Sequence, residues 1–466
     1  MSNLKETYFS NFQNNLIKKV IKLIPNHDKP IRLIEREQSK FYCYGIADIF
    51  AEAGLLKRHF GQNYIFNGIV YEPLDIDGFK YFTYNTVYQS GIILSEKECR
   101  TIVKEILMRT PEYKGIPNDE RYTLFRNGYV DNQTGQMIDY VPDYFPTMCV
   151  EAEFMGNQEL YHPITDMFFD SISGGDPILI TRHWEVNGYC ISSDAMAKRI
   201  FTLVGELGDN GKSTYLNFLC SLLSYQGVMQ MSITNLVKGW FSLSELSKKR
   251  IEISADEGIM NLSTAQIATL KNISGHDWIA ADVKHKQQVR FLSTCKILIA
   301  SNHNIGVAYT ACDPAFARRI CSLPFDVKIP KEQQDPYLAY KLDAERNAVA
   351  TEAFRHYIKL RNRNYTFTGD DIYDNNLNFY PNNSLYNIIN EFSNGYCCFN
   401  LESYTYTEEL YTAFIKVYGD TVFKDITAFS QTFYKANNEK ITKSKKHTVN
   451  RNAWGFNGVS LKGDLT

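Results

Sequence analysis

The stretch from Gly205 to Thr214, GELGDNGKST, holds the residue types that a phosphate cradle needs. Such a cradle aims backbone N–H groups at an anion from the N-terminus of a helix. Gly208, Asp209, Asn210 and Gly211 tolerate the tight or positive-φ backbone that this requires. Lys212 is placed to reach the β and γ phosphates of ATP, and Ser213 to hold Mg2+ through its hydroxyl, with Thr214 beside it. The strict spacing of such loops asks for a glycine five positions before Gly211, where this chain has Glu206. The extra residue falls at the loop's entrance, away from the phosphate-contacting end, and reads as a tolerated insertion.

A triphosphate loop does chemistry only with acids beside it. Asp256 and Glu257 end the apolar run RIEISADE. One carboxylate is needed to organise Mg2+ and a second to deprotonate the attacking water. In that pair Asp256 takes the metal and Glu257 the water. The run CKILIASN ends in Asn302, a side-chain amide that a buried strand end would set between the acids and the γ-phosphate. Arg318 and Arg319 follow in DPAFARRICSLPF, and an arginine supplied by a neighbouring subunit stabilises transition-state charge. An adjacent arginine pair is equally the pattern of a solvated helix face. The segment KHKQQVR brings Lys284, His285, Lys286 and Arg290, which on a hairpin would track a nucleic-acid backbone. Trp278, just before it, suits base stacking or a core position.

The order GDNGKST, ISADE, ILIASN, FARRICSLPF resembles the superfamily 3 helicases, and is most similar to the poxvirus primase-helicase type and the helicase part of phage and plasmid primases. The resemblance covers about residues 200–325, extends recognisably over 120–200 and faintly over 396–466, and does not reach residues 1–115. It implies an AAA+ ATPase that forms a hexameric ring, moves 3′ to 5′ on DNA and hydrolyses ATP between subunits. It also implies Arg318 as the arginine finger with Arg319 second, and residues 270–291 as a connector bearing a DNA-contacting hairpin. The implied setting is replication of a virus, phage or mobile element in the host cytoplasm. No primase signature accompanies the motor, so priming falls to a separate primase or polymerase. Two other readings stay open: an RNA helicase or non-unwinding remodelling ATPase of the same fold, and a DNA-binding initiator whose motor has degenerated.

These residues need strands and helices to carry them. RIFTLV (199–204) reads as a buried parallel strand before the loop and TYLNFLCSLLS (214–224) as the helix after it. Further strand and helix runs alternate through about residue 325, which predicts an α/β fold with a mainly parallel sheet. The expected plan is an N-terminal α+β region over 1–115, a helical domain over 116–195, the P-loop AAA+ motor over 196–335, a helical segment and Asn-rich linker over 336–395, and a winged-helix-like domain over 396–466. Within 1–115, YIFNGIVYEPL and KYFTYNTVY read as strand-like, and EKECRTIVKEILM as an amphipathic helix. The last domain carries two apolar-faced helices, then a basic run with Lys443, Lys445 and Lys446 and strand-like flanks, a plan for binding duplex DNA.

The 466-residue chain requires several domains, and its 44% hydrophobic and 22% charged content suits a soluble protein. Its net charge of −2 puts any nucleic-acid contact on local patches, because no global basic field exists. Residues 435–451 are such a patch, with six Lys/Arg against one Glu. The N-terminal residues lack the pattern of a signal peptide and no apolar run is long enough for a membrane span. The cysteines show no C-x-x-C spacing and read as reduced thiols without a zinc site.

Overall fold

The computed structural model describes residues 2–23, 31–32, 36–59, 61–115, 117–118, 120–138, 145–205, 208–223, 225–238, 240–257, 261–281, 289–302, 306–307, 314–374, 384–420, 422–423, 425–448 and 451–462. The N-terminal region contains α1 (Ser2–Leu23), β1 (Ile31–Arg32), α2 (Arg36–Glu52), β2 (Leu56–His59), β3 (Gln62–Phe66), β4 (Tyr71–Pro73), α3 (Ile76–Gln89), β5 (Ile92–Ile93) and α4 (Glu96–Arg109). These elements close around their own core, with Val20, Ile46, Val87, Ile92 and Ile102 fully buried. The stretch Lys80 to Tyr88, which reads as strand-like in sequence, lies inside α3. Its buried residues, Phe79, Thr83, Thr86 and Val87, repeat at helical and not at two-residue spacing. Asp75 fixes the start by accepting from the backbone N–H groups of Asp77 and Gly78. Tertiary burial and a cap together override the β preference of the aromatic residues.

A small antiparallel sheet of β6 (Tyr122–Phe125), β7 (Gly128–Asp131) and β8 (Met137–Ile138) precedes two helices, α5 (Pro163–Ser173) and α6 (Pro177–Ile191). The central part follows: β9 (Ile200–Val204), α7 (Lys212–Ser221), β10 (Val228–Gln230), α8 (Ile233–Lys238), α9 (Trp240–Leu246), β11 (Ile251–Glu257), β12 (Asn261–Leu262), α10 (Thr264–Ser274), β13 (Trp278–Ala281), β14 (Val289–Leu292), β15 (Lys296–Ser301), β16 (Gly306–Val307), α11 (Pro314–Ala317) and β17 (Ile320–Pro324). Five of these strands form one parallel sheet in the order β10-β11-β15-β9-β17. Both faces are covered, as a parallel sheet requires. Phe201, Leu203, Ile253, Leu298 and Leu323 point to one core, shared with α5, α6 and α7. Ile200, Ile297, Ile299 and Ile320 point to the other, shared with α8 and α10.

Beyond the sheet, α12 (Leu338–Ala344) and α13 (Arg346–Asn362) join the first of these cores through Leu342, Val349, Phe354 and Tyr357. Residues 370–374 form a single π-helical turn against β17. The C-terminal region runs α14 (Ser384–Tyr396), β18 (Cys397–Tyr406), α15 (Thr407–Tyr418), α16 (Ile426–Ala436), β19 (Thr442–Thr448) and β20 (Arg451–Leu461). The three strands form an antiparallel sheet in the order β18-β20-β19, packed on the helices through Phe392, Phe414, Phe429, Phe433 and Phe456. Among the described residues no helix is long and apolar enough to cross a membrane.

Candidate functional site

The loop after β9 is held from two sides. Asn210, nearly buried, donates from Nδ2 to the Phe325 carbonyl at 3.1 Å, and the Ile329 N–H donates to the Asp209 carbonyl at 2.9 Å. Gly205 is needed for close approach: a Cβ there would lie 2.3 Å from the Phe325 oxygen. Gly211 has a φ of +85° and Asp209 a φ of +58°, so these two supply the left-handed backbone. Open space surrounds Gly208. A Cβ on Gly211 would meet Ile172 of α5 at 2.7 Å. Glu206 and Leu207, where the extra residue enters, lie outside the described residues.

Helix α7 begins at Lys212 behind Gly211, and the Lys212 N–H donates to Asn210 Oδ1 at 3.4 Å. The N–H groups of a helix's first turn that lack intrahelical partners suit an anion. Lys212 donates from Nζ to the Gly205 carbonyl at 2.7 Å and to Asn302 Oδ1 at 3.0 Å. Ser213 is exposed and Thr214 half-buried on the same turn. Asn302 itself is exposed, not buried as its strand-end position suggested. It stands just past the end of β15, at the open mouth of the sheet, so its amide reaches Lys212 from solvent.

The strand order explains which groups meet. Strand β15 lies between β9 and β11, so Asn302 is next to the loop and the acids are one strand further. Val204, Ser301 and Glu257 pair in register across the three strands, with a bulge in β11 between Ser254 and Glu257. Two interstrand spacings put the Glu257 backbone about 10 Å from β9. The backbones of Asp256 and Glu257 thus end level with the loop; their side chains lie outside what the structure describes.

The two arginines part company. Arg319 points inward, donating from Nη1 to the Lys271 carbonyl and to Ser274 Oγ, so it fastens the end of α10. Arg318 is exposed, and among the described residues only its carbonyl is held, by Arg199 Nη1 at 3.0 Å. It precedes β17 and so sits at the opposite end of the sheet from the loop. Ile320 pairs with Ile200 and Pro324 with Val204, a separation of four residues or ~13 Å along the strands.

Four charges absent from the sequence expectations cluster beneath Arg318. Arg182, fully buried, donates to Asp370 Oδ1 at 2.9 Å, to Asp374 Oδ1 at 2.5 Å and, from Nε, to the Ser322 carbonyl at 2.9 Å. Arg199 reaches Asp370 Oδ2 at 2.5 Å and Asp374 Oδ2 at 3.3 Å. The Ser322 N–H donates to Asp374 at 2.9 Å, so the cluster also occupies the edge of β17. Asp370 and Asp374 fall in the Asn-rich stretch that reads as linker. Their four-residue spacing, one helical turn, was the available signal.

His183 of α6 is fully buried among the rings of Phe169, Tyr215 and Phe325, with centroids at 5.5, 5.1 and 5.5 Å. Neither ring nitrogen has a hydrogen-bond partner among the described residues. Burial lowers its pKa to about 3, so it is neutral. Tyr215 belongs to α7 and Phe325 accepts from Asn210, which ties α6 to the loop through this neutral ring.

Of the nucleic-acid candidates, Lys284, His285 and Lys286 lie outside the described residues. Arg290 is exposed on β14, which pairs antiparallel with β13. Trp278 opens β13 and is 65% exposed, so it is not a core tryptophan. Lys443, Lys445 and Lys446 are exposed on β19.

The chain matches a family of unknown function, DUF5906, over residues 203–319, which span the loop, the acids and both arginines. No curated protein matches it. Among solved structures it is similar to the apo NrS-1 C-terminal region (305–718), at 10% identity and a TM-score of 0.47 over 91% of this chain and 100% of that one. An A form of the apo NrS-1 C-terminal region gives 10% identity and 0.46 over 87% and 97% of the two chains.

Proposed function

We propose that the chain is an ATP-hydrolysing, P-loop AAA+ motor that assembles as a ring of identical subunits and acts on DNA as a replicative helicase. The observation that carries this reading is the Lys212–Asn302 contact at the mouth of the sheet, level with the ends of β9 and β11. A lysine at the start of α7, an amide from the adjacent strand and two acids from the next strand are the parts that triphosphate hydrolysis needs. The loop suits the group: Asp209 and Gly211 supply its left-handed backbone, and α7 opens directly after it with Lys212 in its first turn. Gly208, Asp209, Asn210, Gly211 and Thr214 would line the phosphates and Lys212 would pair with them. Ser213 and Asp256 would hold Mg2+, which supplies charge neutralisation to the phosphate oxygens when bound. Glu257 would accept the proton of the attacking water, and Asn302 would hold Lys212 and water in place.

Arg318 supports assembly. Its place at the far end of the sheet keeps it from its own loop, so a catalytic role requires the loop of a second subunit. The C-terminal region has the element order helix, strand, helix, helix, strand, strand, which suits a winged helix with α16 toward the major groove and the paired strands β19 and β20 as its wing. Arg290 with Lys284, His285 and Lys286 would meet single-stranded DNA in the ring's channel.

Phosphate release measured with and without single-stranded DNA tests the reading. A DNA motor turns over faster when the strand is added. Turnover indifferent to DNA would indicate a remodelling ATPase, and stimulation by RNA alone an RNA helicase. Absence of turnover would indicate a motor retained only for assembly.

A further inference from the structure

The β19–β20 hairpin carries more than charge. Residues 442–461 contain four Lys/Arg and neither Asp nor Glu. Among them stands Trp454, 54% exposed, although an indole is among the largest apolar groups that a chain can bury. Its cross-strand partner is Lys445, and Lys443 Nζ lies 5.8 Å from its ring centroid. Lys443 is itself tied to Ser430 Oγ of α16 at 3.0 Å. Alternation along the strands puts Lys443, Lys445, Trp454 and Phe456 on one face, and Phe456 is in the core beneath α16. Trp454 therefore projects on the α16 side, beyond the edge of the core. On the opposite face Lys446 lies over the Tyr404 ring at 4.9 Å.

We propose that Trp454 is a stacking platform for an unpaired base at a junction of single-stranded and duplex DNA, with Lys445 on the same face neutralising a flanking phosphate. This rests on the reading of residues 396–466 as a DNA-binding module, and adds the form of DNA it takes. A nucleotide strand supplies a planar base and a negative phosphate in each repeat, which matches a flat indole set between lysines. An acidic peptide would answer the lysines and leave the ring face unused. A blunt duplex would offer phosphates but keep its bases stacked on each other.

The test uses the full chain and three fluorescent probes: a blunt duplex, the same duplex with a forked end, and the fork carrying 2-aminopurine at the first unpaired position. The wild-type protein should prefer the fork and quench 2-aminopurine. Trp454→Ala should lose the quenching and bind the fork roughly 5- to 100-fold more weakly, the range of one base–aromatic stack. Its affinity for blunt duplex should stay within about twofold, because phosphate contacts carry that binding. Trp454→Phe should fall between the two. Quenching that persists in Trp454→Ala, or an equal loss on fork and duplex, overturns the proposal. So does displacement of the fork by poly-glutamate at matched charge. A wild-type protein that binds none of the probes overturns the DNA-module reading, and the proposal with it.

Discussion

Lys212 Nζ donates to Asn302 Oδ1 at 3.0 Å, joining the start of α7 to the end of β15. If this amide positions the lysine and the attacking water, its loss acts on turnover and not on binding. Asn302→Ala should lower kcat for ATP by about 10²-fold, the usual cost of one preorganised polar group, with nucleotide affinity nearly unchanged. A titration with fluorescent nucleotide beside a turnover assay separates the two effects. A matching loss of affinity would make Asn302 a binding residue only.

Arg318 and Arg319 should fail differently. Arg318→Ala should fold, bind ATP and poison mixed rings, so that activity falls faster than the wild-type fraction; a finger supplies ~10³–10⁵ in rate. Arg319→Ala removes the tie to Lys271 and Ser274 and should lower thermal stability. A strictly proportional fall on mixing Arg318→Ala subunits would mean that the site is complete within one chain.

The buried Arg182 gives a stability prediction. Asp374→Ala leaves that guanidinium short of a partner and should cost about 3–5 kcal/mol in a denaturant titration. Replacing Arg182 by Met and Asp374 by Leu together should cost less than the single change, because no buried charge is then uncompensated. A double variant worse than Asp374→Ala would show that the cluster contributes through hydrogen bonds to Ser322 and Thr368.

His183 sets a pH dependence. Its folded pKa of about 3 lies below the ordinary 6.5, so between these values the unfolded chain holds the extra proton. Stability from this group is full above about pH 6.5 and falls as the pH drops toward 3, by at most ~1.4 kcal/mol per unit. His183→Leu should flatten this part of the acid limb in urea titrations between pH 4 and 7. An unchanged slope would show that the ring titrates freely.

Much of the sheet was legible because β9 and β15 are short apolar runs, β9 leads straight into the glycine-rich loop, and β11 and β15 end in polar residues. Strand β18 was not: its register against β20 shifts between Phe399 and Tyr404, which breaks its alternation. The residues around Lys80 misled because Tyr and Phe favour strands while burial and the Asp75 cap chose a helix. In the site, Lys212 and Asn302 could be named from motifs, but their contact depends on β15 entering between β9 and β11, which is a property of strand order. Arg182 and Asp374 are 192 positions apart in sequence, and no local pattern joins them.

The central claim is ATP hydrolysis at the loop between β9 and α7, and one pair of variants tests it most directly. Phosphate release and nucleotide binding are measured on the full chain for wild type, Lys212→Ala and Glu257→Gln. The account predicts turnover in the wild type, loss of binding and turnover in Lys212→Ala, and retained binding without turnover in Glu257→Gln, whose amide cannot take the water's proton. Near wild-type hydrolysis by Lys212→Ala would place the reaction elsewhere and contradict the account.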